Sequence, residues 1–356
     1  MVLRAIEGWD GYAVGTGPSS TPTWSTLFAA KWASSSTSSG ILESHDNRFS
    51  GEKVFYPGSG IGQFVVLLPD EPEELAMGAY VRNRHHAYER NYTAKWRPLM
   101  SINNGSYEHI QLEMNGRDIR VKVRNGTLDT TLSNVLEGYD SWNLIELKGK
   151  VHDTTGYWYV YVNGVEIGSN TNIDTKYSTF AVNRAYLRNS DYYERYSDWY
   201  VCDLTGSQNN DVLGAFCVQG LLPDANGDDA DWTPSGNGDN YTMVNEETAN
   251  ESIYVESGTT NEQDLYNFED LSGTWVEIFG LQVNTRAFLD IAGSETVAIL
   301  CSSNGTEDSA NFTANNTSMS TGDEQQFQRI IETDPDTSNA WDANGIDAAQ
   351  FGVKFI

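Results

Sequence analysis

Short stretches of apolar residues, many of them alternating with polar ones, recur between Gln63 and Gly206, and Gly, Asn and Pro punctuate them. The run QFVVLLP (63–69) is apolar and closed by Pro69, and the acidic turn DEPEE (70–74) leads into LAMGAYVRN (75–83). HIQLEMNG (109–116) and DIRVKVRNG (118–126) predict a hairpin around Asn115-Gly116, a dipeptide suited to a tight turn. In its second strand Ile119, Val121 and Val123 share one face and Arg120, Lys122 and Arg124 the other, the pattern of a strand buried on one side. SWNLIELKGKV (141–151) and GYWYVYVNGVEIG (156–168) form the next pair. There Trp158, Val160 and Val162 alternate with Tyr157, Tyr159 and Tyr161. Both faces avoid charge, which predicts a central strand with core on one side and an aromatic surface on the other. STFAVNRAYLRN (178–189) and SDWYVCDLTG (197–206) complete the set, and no window carries an amphipathic helix pattern. Strands at this spacing predict a sandwich or jelly roll.

Residues 10–40 read as loop, with SSSTSSG (34–40) as a flexible turn. The character of the chain changes near 207, and 218–241 is again loop-like. Strands resume at NESIYVESG (250–258), GTWVEIFGLQVNTRAFLD (273–290) and ETVAILCSS (295–303), and the chain ends in AQFGVKFI. The expected fold class is therefore all-β: a jelly-roll β-sandwich over 1–206, a junction at 207–221, and a smaller acidic β-sandwich domain over 222–356. Composition agrees, because Gly, Ser, Thr and Asn supply turns while Leu, Ala and Lys are too sparse for long helices.

Charge narrows the partners. The formal net charge is −28, and it is uneven: 24 acidic against 19 basic residues up to 206, then 26 against 3 (Arg286, Arg329, Lys354). Such a surface repels phosphates and anionic lipids, so nucleic acid and membrane surfaces are not expected partners. The sharper readings of the acidic half are a divalent-cation site or a basic partner surface. MVLRAIEGWDGY has no apolar signal-peptide core, and no stretch reaches the roughly 20 apolar residues of a membrane span. Cys202, Cys217 and Cys301 are too few for a disulfide framework, so the expectation is cytoplasmic synthesis with reduced thiols, a Cys202–Cys217 bridge being the alternative. The Asn-X-Ser/Thr sequons are read as unglycosylated.

Motifs for catalysis do not stand out. Histidine is absent after His152, and no nucleophile elbow, zinc-binding HExxH, P-loop or dinucleotide fingerprint is present. The alternating E-x-D-x-E run of sandwich glycosidases is missing too, so the expectation is no enzymatic activity and no catalytic residues, with a glycosidase built from dispersed carboxylates as the alternative. His85-His86 reads as part of a solvated loop. DANGDD (224–229) alternates Asp224, Asn226 and Asp228 as calcium ligands do, but it lacks the glycine and distal Glu of a full loop. It is read as an acidic Asx-turn loop, with calcium as the one cofactor candidate. Two aromatic groups are candidate glycan or partner contacts: Tyr157, Tyr159 and Tyr161 in one, and Tyr192, Tyr193 and Trp199, beside Tyr196 and Tyr200, in the other. For each, filling by neighbouring strands is the competing reading.

Two resemblances follow from particular motifs. WNLIELK (142–148), GYWYVYVNGVEI (156–167) and SDWYVCD (197–203) resemble the core of laminin-G/concanavalin-A-like lectin sandwiches. DLTGSQNNDVLG (203–214), DWTPSG (231–236), NYTMVNE (240–246), DPDTSNAW (334–341) and FGVK (351–354) resemble a group of tailed-bacteriophage virion proteins, in which such a sandwich precedes a smaller β domain. Asn245 stands where that group usually has Asp. The resemblance implies a structural protein on the virion surface, made in the host cytoplasm, tail-associated or decorating the head. It implies contacts with other virion proteins and homo-oligomers on the particle, with the lectin-like domain as spacer or as an adhesin for host surface glycan.

Overall fold

The computed structural model describes residues 3–8, 41–43, 54–56, 62–83, 96–138, 140–189, 194–246, 252–289, 293–316 and 325–356. The loop expected over 10–40, the His85-His86 pair, and Tyr192 and Tyr193 lie outside them. The chain divides into two compact units, the first running to Val218 and the second from Gln219 to Ile356.

Strands of the first unit are β1 (Leu3–Glu7), β2 (Ile41–Glu43), β3 (Val54–Tyr56), β4 (Gly62–Leu67), β5 (Glu74–Asn83), β6 (Arg97–Asn103) and β7 (Glu108–Asn115). They continue with β8 (Asp118–Val123), β9 (Thr127–Leu132), β10 (Trp142–Lys150), β11 (Gly156–Val162), β12 (Val165–Ile173), β13 (Arg184–Asn189) and β14 (Glu194–Asp203). They form two antiparallel sheets, ordered β12-β11-β10-β5-β14-β3-β2 with β1 also on β14, and β4-β13-β6-β7-β8-β9. This is the expected jelly-roll sandwich. Its core follows the alternation: Leu75, Met77, Ala79 and Val81 of β5, and Trp158, Val160 and Val162 of β11, are buried. Phe64 of the six-stranded sheet meets Trp199 of the eight-stranded one, ring centroids 6.3 Å apart.

The β7–β8 hairpin forms as expected, one residue off in its turn. Asn115 pairs with Asp118, so Gly116 and Arg117 are the central residues, and Gly116 takes φ 60°. GYWYVYVNGVEIG turns at its own Asn-Gly. It is a second hairpin, with Asn163 at φ 50° and Gly164 at φ 77° turning the chain from β11 into β12. STFAVNRAYLRN becomes strand only from Arg184.

The second unit contains β15 (Pro223–Ala230), β16 (Thr233–Pro234), β17 (Val255–Glu256), β18 (Gln263–Phe268), β19 (Leu281–Ala287), β20 (Gly293–Ser303), β21 (Thr306–Asn316), β22 (Gln325–Ile331), the short helix α1 (Ala343–Ala348) and β23 (Gln350–Phe355). One sheet runs β15-β18-β23-β20-β21, with the pairs β16-β17 and β19-β22 beside it. Cys301 and Phe351 of the sheet, Ile331 of β22, Ile346 of α1 and Trp341 form one buried cluster, against which Leu281 and Val283 of β19 pack. Of GTWVEIFGLQVNTRAFLD only 281–287 is strand, because Gly273 (φ 99°) and Gly280 (φ 156°) bend the chain before it. DANGDD is corrected as well. It lies in β15, paired with β18 across a bulge, instead of forming an Asx-turn loop. Among the described residues no helix is long and apolar enough to cross a membrane. Cys202 and Cys301 are buried and Cys217 is exposed, and the Cys202–Cys217 bridge of the alternative is not formed.

Candidate functional site

Strand β10 reads WNLIELKGK, and its outward positions are Glu146, Lys148 and Lys150. Register places these opposite Tyr161, Tyr159 and Tyr157 of β11. On the other side of β10 the same three positions face Gly78, Ala76 and Glu74 of β5. Beyond β11, the edge strand β12 adds Thr171 opposite Tyr157, Ser169 opposite Tyr159 and Glu166 opposite Tyr161. A row of tyrosines thus runs along the outer surface of the eight-stranded sheet, flanked on both sides by polar groups.

All three tyrosines are half-buried. Tyr157 meets Tyr159 edge-on, centroids 5.4 Å apart and planes at 69°. Lys150 Nζ lies 2.9 Å from Glu74 Oε1. Lys148 Nζ lies 2.9 Å from Asp211 Oδ1. Burial, followed by the charge and hydrogen bond of Glu74, pushes the Tyr157 phenol well above its ordinary range. Burial, followed by Asp211 and Glu166, raises that of Tyr161. Both rings stay neutral and hydroxylated at any physiological pH.

The middle of the sheet is closed by the chain that follows β14. Tyr200 lies across Gly78, where a Cβ would come within 2.5 Å of the ring. Its hydroxyl donates to Glu146 Oε1 at 2.6 Å and accepts from Leu213 N at 3.0 Å. Gly214 N donates to the same Glu146 oxygen at 2.9 Å. Phe216 then caps Tyr80 and Tyr200, centroids 5.4 Å and 5.0 Å away. Glu146 is wholly buried beneath this strap, and its second oxygen, Oε2, has no hydrogen-bond partner. Burial dominates its environment and raises its pKa against the lowering effect of its hydrogen bonds.

The structure therefore brings Tyr157, Tyr159 and Tyr161 together on one surface. Trp199 does not join them. It is corrected to the inter-sheet core, fully buried beside Phe64. Tyr196 is buried as well, its hydroxyl on Arg188 O and Glu194 Oε2. In the second unit Asp224 and Asp228 are exposed, while Asn226 Oδ1 accepts from Tyr241 N at 2.9 Å. Among the described residues no group of three or more His, Cys, Asp or Glu is gathered that could hold a metal. Glu74, Glu146, Lys148 and Lys150 were missed as site residues, whereas Tyr200 was named beside the second aromatic group. The period-two alternation of β10 held the signal for three of them.

No family model matches the chain, and no curated protein matches it. Among solved structures it is similar to an endo-β-1,4-glucuronan lyase from the fungus Trichoderma reesei, at 13% identity and TM-score 0.34 over 53% of this chain and 94% of that one. It is also similar to domain 4 of an extracellular arabinanase from Geobacillus stearothermophilus in complex with arabinotriose, at 11% identity and TM-score 0.32 over 56% and 92%. A heptameric pentraxin from Limulus polyphemus matches at 12% identity and TM-score 0.32 over 48% and 90%. An alginate lyase matches in the same range, at 11% identity and TM-score 0.35 over 55% and 95%. The expectation of no enzymatic activity is corrected on this finding. Two of these solved structures are polysaccharide lyases.

Proposed function

We propose that the protein binds carbohydrate on the tyrosine row of its eight-stranded sheet. The single observation that carries this is the register of Tyr157 and Tyr159, half-buried and edge to face, beside the hydrogen-bonding groups of Lys150, Glu74, Ser169 and Thr171. Sugar rings present C–H faces that pack on aromatic rings and hydroxyls that need donors and acceptors at the rim. A row of rings along one strand suits a chain of sugar units better than a single residue.

The test is a glycan array with the wild-type chain and Tyr159→Ala. Binding is expected to fall about tenfold or more in the variant, matching the loss of roughly 1.4 kcal/mol of ring contact. The melting temperature should change little, because the ring is only half-buried. Absence of binding by the wild type, or binding indifferent to the substitution, overturns the reading.

A second reading is a virion surface component, contacting other virion proteins and presenting this face to host glycan. It is favoured by the ordered motifs from DLTGSQNNDVLG to FGVK. Mass spectrometry of purified particles, in which the chain should be found at stoichiometric level, tests it.

A further inference from the structure

We infer that the tyrosine face selects uncharged polysaccharide and turns away chains bearing carboxylate, sulfate or phosphate, an inference that rests on the carbohydrate-binding reading above. The cations in register with the tyrosines are Lys148 and Lys150. Each is already committed at 2.9 Å, Lys148 to Asp211 and Lys150 to Glu74. Glu166, opposite Tyr161, is exposed and adds a further carboxylate, which accepts from Ser169 Oγ at 2.8 Å. Carboxylates thus outnumber ammonium groups along the row.

The groups on the face respond as they should to a negative field. After burial, the influences that raise the Tyr157 and Tyr161 phenols include Glu74, Asp211 and Glu166. Lys150 is raised first by its hydrogen bond with Glu74, then, after burial's opposing effect, by the charges of Glu74 and Glu73. An anionic chain would have to break a lysine–carboxylate pair and lie beside Glu166. An uncharged chain needs neither step. Its hydroxyls can share Glu74, Ser169 and Thr171 while its ring faces lie on tyrosine. The net charge of −28 adds long-range repulsion of polyanions.

Affinity electrophoresis of the full chain tests this, using gels cast with neutral polymers (a β-glucan, a mannan, an arabinan) or anionic ones (alginate, polygalacturonate, heparin), at low and high salt. The expected result is retardation by at least one neutral polymer, unchanged by salt, and none by the anionic polymers at low salt. The triple variant Glu74→Gln/Asp211→Asn/Glu166→Gln frees both lysines and should gain about tenfold in affinity for an anionic polymer, a gain erased by salt. Stronger retardation of the wild type by an anionic polymer overturns the inference and leaves carbohydrate binding standing. So does a folded triple variant that gains nothing. If no polymer of either kind retards the wild type, the carbohydrate reading fails and the inference fails with it.

Discussion

Asp264 collects three donors on one fully buried carboxylate: Trp232 N at 2.8 Å, Asn240 Nδ2 at 2.7 Å and the Tyr266 hydroxyl at 2.8 Å. It thereby pins both ends of the DWTPSG–NYTM segment to β18. Asp264→Ala strands those donors and should cost the second unit about 3 kcal/mol or more, read as a lowered urea midpoint. Glu146 tests a different property. Its carboxyl sits above the ordinary value of 4.5, so the folded chain holds the proton more tightly than the unfolded chain does. The resulting stabilisation is complete below about the ordinary value and is lost as pH rises through the raised one. Melting temperature should therefore fall over that window in the wild type more than in Glu146→Gln, and parallel curves for the two would refute this. Neither role was legible in the sequence. Asp264 lies in a polar-looking stretch, NEQDLYNF, and Glu146 is buried only because a segment more than sixty positions later lies over it.

Strands with one buried face were readable, and β8 is the clearest, with Ile119, Val121 and Val123 buried and its basic face paired to Glu113. Where reading failed, backbone conformation outweighed composition. Gly273 and Gly280 delay β19 within a run that reads as strand from its start. The motifs DPDTSNAW and FGVK have local structural work in the second unit. DPDTSNAW is an Asx-type turn in which Asp334 accepts from Asp336 N and Thr337 Oγ1. Burial raises the Asp334 carboxyl, but hydrogen bonds from Ser303, Asp336 and Thr337 outweigh it and hold the group below its ordinary value. FGVK places Gly352 opposite Leu265, where a Cβ would stand 1.8 Å from Asp264 O. Gly352→Ala should therefore separate β23 from β18, and rapid amide exchange along both strands would show it. The tyrosine row was readable as a face. Its polar neighbours on β5 and β12 were not, because register between strands is set by turns and bulges that alternation does not reveal.

At the scale of the molecule, 26 acidic residues against 3 basic ones beyond position 206 leave the second unit carrying most of the negative charge. Like charges strain a folded state, and added salt relieves them. Moderate sodium chloride should raise the melting transition of this unit by several degrees, about 5 °C for each kcal/mol of repulsion screened, and a scan showing no shift would contradict that. The strap over Glu146 bears on how the protein is divided. Composition suggested ending the sandwich at 206, yet Asp211, Leu213, Gly214 and Phe216 belong with the first unit and close its sheet. A fragment ending at 206 would open Tyr200 and the Glu146 carboxyl to water, and it should melt earlier than one ending at Val218. Any dissection of this chain into working parts therefore has its cut site chosen by a loop, fifteen residues past the last strand of the sandwich.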